Sequence, residues 1–133
     1  MKIFLFAFFS ILLLSGCVGD ANPPAGTQLQ TRNIQSRSFE TGDREMVMRS
    51  TLGTMQDLGF IIGRADDALG TISGTAISNR ASMTVSVREA GKNRIVVRVN
   101  IQHGARVVTD PEAYQAFFNS LSQSMFLAAH MVD

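Results

Sequence analysis

The sequence predicts an α+β domain of two layers, a four- to five-stranded antiparallel sheet covered by a long C-terminal helix, in the order β-α-β-β-β-β-α. Three observations predict it. Two runs show a period of two: Met83, Val85 and Val87 alternate with Thr84, Ser86 and Arg88, then Ile95, Val97, Val99 and Ile101 with Val96, Arg98, Asn100 and Gln102. A period of two places one face of each strand against a core and the other in water. Ahead of them lies a segment with apolar residues three and four apart, and behind them a helix-start signal opens an apolar stripe that runs to the chain end.

The elements follow in chain order. Met1 to Leu14 has one cation, Lys2, and then the apolar run Ile3-Phe4-Leu5-Phe6-Ala7-Phe8-Phe9-Ser10-Ile11-Leu12-Leu13-Leu14. A bilayer-spanning helix needs roughly 20 apolar residues, so this run is too short to cross and fits the leader of an exported protein. Small residues follow at Ser15 and Gly16, directly before Cys17, the sole cysteine of the chain. Leu14-Ser15-Gly16-Cys17 resembles the lipobox of bacterial lipoproteins. In that class the chain is cut between the residues corresponding to Gly16 and Cys17, and the Cys17 thiol would carry a diacylglycerol. A thiolate is the strong nucleophile that such a transfer requires, and several acyl chains give durable anchoring. The alternative is an ordinary export signal with a chance cysteine. Against it, a lone unpaired thiol in an exported protein is a reactive liability. The resemblance implies a position after the cysteine that sorts between membranes. Val18 there, in place of an aspartate, implies the outer membrane, with the inner membrane as the alternative.

The expected organisation is therefore a signal peptide over 1–16, a lipidated cysteine and tether over 17–31, and one periplasmic domain over 32–133. Val18 to Thr31 reads VGDANPPAGTQLQT, with Val18 and Leu29 as its sizeable apolar residues. Such a segment lacks the apolar surface to fold and is expected to be a flexible tether of about 20 Å mean span.

Asn33 to Phe39 is expected to form a first strand. Thr41, Gly42 and Asp43 then signal a helix start, and Val47, Met48, Leu52, Met55 and Leu58 recur at helical spacing until Gly59. Phe60-Ile61-Ile62 is a short strand; Asp66 to Gly70 is a turn; Thr71 to Ile77 is rich in β-branched residues. The two alternating runs are joined by Glu89-Ala90-Gly91-Lys92-Asn93 as a hairpin. Thr109-Asp110-Pro111-Glu112 offers a cap, a proline suited to the first helical position, and negative charge at the positive helix end. Tyr114, Phe117, Phe118, Leu121, Met125 and Ala128 mark one face of the helix that follows. This order, with the lipobox, resembles the helix-grip domains of BamC-like envelope lipoproteins over residues 32–133, at the level of element order.

Composition excludes several classes of function. Cleavage before Cys17 leaves 117 of the 133 residues, enough for one small domain. Without Lys2, eleven basic side chains balance eleven acidic ones. That balance argues against a nucleic-acid surface, which needs a clustered basic face. With one cysteine, intramolecular disulfides are unavailable to the fold.

Catalytic and metal motifs are weak. His103 and His130 are the two histidines, fewer than a four-ligand structural zinc site requires, so no metal and no cofactor are expected. His103 reads as a strand-end loop residue and His130 as a last-turn residue that can favour the negative end of the helix dipole. Asp66-Asp67 reads as a turn and not as a catalytic carboxylate pair, which would flank a substrate in a shielded cleft. No serine stands in a Gly-x-Ser-x-Gly frame and no phosphate-loop spacing occurs. The methionines read as core filler or as an adaptable contact surface.

The segment Met125-Phe126-Leu127-Ala128-Ala129 is apolar on all sides, as in a helix that is buried or meets a partner. Phe117, Leu121, Met125 and Phe126 are thus the candidate partner or ligand surface. The leading expectation is a non-enzymatic lipoprotein that scaffolds an envelope complex through an unidentified protein partner. The alternative is an apolar-ligand module whose cavity, between the last helix and the sheet, is lined by Phe117, Leu121, Val97 and Val99.

Overall fold

A computed structural model describes residues 25–131, so Gly16, Cys17 and the first part of the expected tether lie outside the described residues. Nine elements follow in order: α1 (Ala25–Ile34), β1 (Ser36–Phe39), α2 (Arg44–Asp57), β2 (Phe60–Asp66), β3 (Thr71–Ala76), β4 (Ser82–Glu89), β5 (Ile95–His103), β6 (Arg106–Val107) and α3 (Pro111–His130). The class is α+β, with an antiparallel sheet and a long C-terminal helix. Its six strands run β1-β5-β4-β3-β2, and β6 also pairs with β5.

The helices start where their capping chemistry allows. Asp43 accepts a hydrogen bond from the Met46 amide at 2.9 Å, and Asp110 accepts one from the Glu112 amide at 3.0 Å, with Pro111 opening the helix. Each bond satisfies one of the amides that a helix N-terminus leaves without an internal partner. At the far end of α2 the Gly59 backbone turns left-handed, with φ of +89°, and its amide bonds back to the Gln56 carbonyl.

The two alternating runs pair as the hairpin their pattern predicts, placing Met83 opposite Ile101, Val85 opposite Val99 and Val87 opposite Val97. All six point into the core, together with Ile72, Ala76 and Ile95. The intervening positions carry Ser82, Thr84, Ser86, Arg98 and Asn100 on the opposite face. α2 and α3 pack side by side against the apolar face, contributing Val47, Met48, Met55, Tyr114, Phe117, Phe118, Leu121 and Met125 to one continuous cluster.

Two expectations change. Residues 25–31, assigned to the flexible tether, are the first two turns of α1, and the first strand begins at Ser36 instead of Asn33. The proline pair that marks a tether also stands directly before a helix start. The helix docks through its end: Ile34 packs on the core and Gln35 is buried. Gln35 donates from Nε2 to the Tyr114 hydroxyl at 3.3 Å; that hydroxyl donates to the Val108 carbonyl at 2.7 Å and accepts from the Ile101 amide at 3.4 Å. One phenol therefore ties α1, β5 and the approach to α3 together, and the buried amide has a partner for its polar group.

The turn between β2 and β3 is held from both sides. Asp66 accepts from the Leu69 amide at 2.9 Å and pairs with Arg64 at 3.3 Å. The Leu69 hydrogen bond first, and Arg64 second among the stabilising contacts, lower its pKa below the ordinary carboxylate value. Arg44 reaches from α2 to the Asp67 carbonyl and pairs with its carboxylate at 3.5 Å. Gly70 closes the turn at φ of +68°, where an added Cβ would run into the Val87 carbonyl oxygen. Left-handed backbone costs a residue with a Cβ about 1–2 kcal/mol before any clash. Gly70→Ala is therefore expected to lower the unfolding free energy by about 2 kcal/mol or more. Urea titration would read this as a reduced midpoint at unchanged slope, and an unchanged midpoint would refute it.

β2, at the sheet edge, is irregular. Its register against β3 slips between Ile62 and Arg64, where Gly63 is the extra residue of a β-bulge.

Candidate functional site

The four residues named as a contact surface divide between two environments. Phe117 and Leu121 have no exposed surface, and Met125 is buried at 8% exposure. Phe126, in contrast, is 61% exposed. Along α3 the inward positions Tyr114, Phe117, Phe118, Leu121 and Met125 are three, one, three and four apart, which is the core stripe of a 3.6-residue period. Phe117 and Leu121 are therefore core residues and not surface residues. Phe126 follows Met125 by one residue, a rotation of about 100° around the axis, and so turns out of the core.

The exposed end of α3 presents Phe126, Leu127 and Met131, all at least half exposed. The Phe126 ring lies 4.1 Å from the His130 ring, centroid to centroid, and the His130 Nδ1 sits 2.7 Å from the Phe126 carbonyl oxygen. These contacts fix the aromatic side chain in place without covering it. Beside it is a groove of about 370 Å³, lined by Phe39, Met46, Met125, Phe126 and Ala129, with Glu40, Thr41 and Ser122 at its polar margin. The groove is built by three elements. Phe39 comes from the end of β1, Met46 from the first turn of α2, and the others from α3. Met46 supplies the adaptable, polarizable side chain suited to a contact surface; Met48 and Met55 are core.

Phe39 lies outside the expected contact residues, and Met46 is, of the α2 methionines read as core filler or adaptable contact, the one that lines the groove. Each belongs to a short apolar pattern whose outward direction depends on how β1 and α2 meet α3, which no local period encodes. On β1, Arg37 and Phe39 alternate with the exposed Ser38 and face the helical layer, so the Arg37 guanidinium stands 4.8 Å above the Phe118 ring.

The cavity expected for an apolar ligand is filled. Phe117, Leu121, Val97 and Val99 each have 0% exposure and belong to the same core cluster, which leaves no room beside them even for a water molecule. Phe117 and Phe118 meet edge to face at 5.3 Å and an angle of 76°.

His103 ends β5, and His130 lies in the last turn of α3. Among the described residues no group of three or more His, Cys, Asp or Glu side chains is placed to hold a metal ion. Asp66 closes β2 and Asp67 begins the turn, where their partners are the arginines and amide named above. Among the described residues no helix is long and apolar enough to cross a membrane.

No protein-family model matches the chain, and neither does any curated protein. The functional reading therefore rests on the Leu14-Ser15-Gly16-Cys17 motif, the fold and the exposed C-terminal end of α3.

Proposed function

We propose that the chain is a non-enzymatic lipoprotein, anchored through acyl groups on Cys17 and facing the periplasm from the outer membrane, which acts as an accessory or scaffolding component of an envelope complex. The lipobox supports the anchor. The observation that carries the contact role is Phe126, a large aromatic side chain 61% exposed at the rim of an apolar groove. Interfaces concentrate their energy in a few aromatic anchors that fill a pocket on the other partner, surrounded by contacts that exclude water. Phe126 has the anchor chemistry, Leu127 and Met131 enlarge the apolar area, and Glu40, Thr41 and Ser122 provide a polar rim.

The test uses intact envelopes of the native host. A photo-crosslinking side chain at position 126 is expected to give a discrete heteromeric adduct, and the same group at Asn119, exposed on the same helix, is expected to give none. Phe126→Ser is expected to weaken partner binding by about 30-fold, from a hot-spot loss of about 2 kcal/mol. Its folding stability is expected to stay within about 0.5 kcal/mol, because an exposed residue is changed. Recovery of the protein as an uncrosslinked monomer from both positions would remove the contact role.

A further inference from the structure

A second groove lies between α1 and the β5–β6 edge of the sheet, and its chemistry is unlike that of the first. It measures about 460 Å³ and is lined by Gln28, Thr31 and Arg32 of α1, by Gln35, by Arg98 of β5, and by Val107 and Thr109. Gln28, Arg32 and Gln35 recur at helical spacing and so form one face of α1 continued by one residue. Arg98 stands between the inward-pointing Val97 and Val99, hence on the outer face of the sheet.

The groove concentrates positive charge without a counter-charge. No carboxylate lines it, and neither Arg32 nor Arg98 belongs to any of the three ion pairs among the described residues. Both are exposed, so the two guanidinium groups remain hydrated and available. The floor is rigid: Gln35 is 6% exposed and hydrogen-bonded to the Tyr114 hydroxyl, itself bonded to the Ile101 amide of β5 and to the Val108 carbonyl ahead of α3.

We propose that this groove binds the phosphate group of a small ligand or of a lipid headgroup through Arg32 and Arg98. The preference for phosphate over carboxylate follows from oxygen count. A guanidinium presents parallel N–H bonds to a pair of oxygens, so one arginine saturates a carboxylate, whereas two arginines on separate elements match a tetrahedral group with oxygens on several faces. The Gln28 amide and the Thr109 hydroxyl stand in the same lining as further donors. A headgroup source would additionally rest on the anchor reading above. α1 starts eight residues after Cys17, at most about 28 Å of fully extended chain, so a lipid-anchored Cys17 would keep the groove within reach of headgroups. The phosphate site itself does not depend on the anchor.

The test takes the full chain in neutral-detergent micelles and follows its melting temperature against inorganic phosphate, with sodium chloride at equal ionic strength as the control. A saturable rise with phosphate alone is expected. Arg98→Gln and Arg32→Gln are each expected to weaken the apparent affinity at least tenfold, while Arg49→Gln, whose arginine pairs with Glu45 on α2, leaves it unchanged. If Arg98→Gln does not fold, Arg32→Gln carries the comparison, since its side chain is exposed on a helix. Reconstitution in nanodiscs then distinguishes the sources. A rise in phosphatidylglycerol discs over phosphatidylcholine discs that occludes added phosphate assigns a headgroup, and a rise confined to added phosphate assigns a free ligand. Absence of a saturable rise with both probes, or equal behaviour of the Arg98→Gln and Arg49→Gln proteins, overturns the proposal. Loss of the Cys17 anchor would leave the micelle experiment intact, so the two readings fail separately.

Discussion

Phe117→Ala is expected to lower the unfolding free energy by about 3–5 kcal/mol, the usual range for truncating a fully buried phenylalanine. Phe117 has no exposed surface and packs edge to face on Phe118 within the layer between α3 and the sheet. Truncation removes apolar area from the core and leaves a space that rigid strands on one side and α2 on the other do not close. Marginal stability for a domain is about 5–15 kcal/mol, so the loss is a large fraction of the whole. Chemical denaturation of the variant would show a midpoint shifted far below wild type with little change in slope. A loss under about 1 kcal/mol would mean that the helix–sheet seam is looser than its zero exposure implies. The same truncation at Phe126, nine residues further along the helix, is the internal comparison.

The second large effect concerns the amino-terminal motif. Cys17→Ser is expected to abolish incorporation of radiolabelled palmitate and to remove the protein from the outer-membrane fraction. A methylene transferred from water to the bilayer contributes about 0.8 kcal/mol, so a set of long acyl chains exceeds any other membrane contact this chain offers. Charge offers a weaker substitute: without residues 1–16, eleven cations balance eleven anions, and the two groove arginines, at about 1 kcal/mol each beside an anionic surface, fall well short of a set of acyl chains. The amino-terminal peptide of the wild-type protein from its native host is expected to carry the acyl mass on Cys17. An unmodified thiol there would refute lipidation directly.

The parts of this architecture that were legible are those with a strong local period or cap. β4 and β5 carry a period of two that only Val96 interrupts, and Asp43 and Asp110 announce α2 and α3 through side chains that bond the first free amides. α1 was illegible for a physical reason. Its one large apolar residue besides Ile34 is Leu29, which is 59% exposed, and its anchoring group is the amide of Gln35, whose partner lies 79 residues away. A polar tertiary contact has no hydrophobic signature in the local sequence. β6 is two residues long and exists through its pairing with β5. On α3, apolar residues occupy five successive positions from Met125 to Ala129, so pattern alone could not separate the buried Met125 from the exposed Phe126. The two grooves are similarly nonlocal, since each joins side chains from at least three separate stretches of chain.

The irregular pairing of β2 also bears on how many such molecules can share one surface. Molecules confined to two dimensions meet far more often than the same number free in a volume, and an even strand border would let each recruit the next into a growing ribbon. The extra residue at Gly63 breaks the even spacing of donors and acceptors along that border and increases its twist. With the chain anchored through Cys17 as proposed, neighbours would collide on a lipid sheet and separate again, leaving the exposed end of α3 to select what stays.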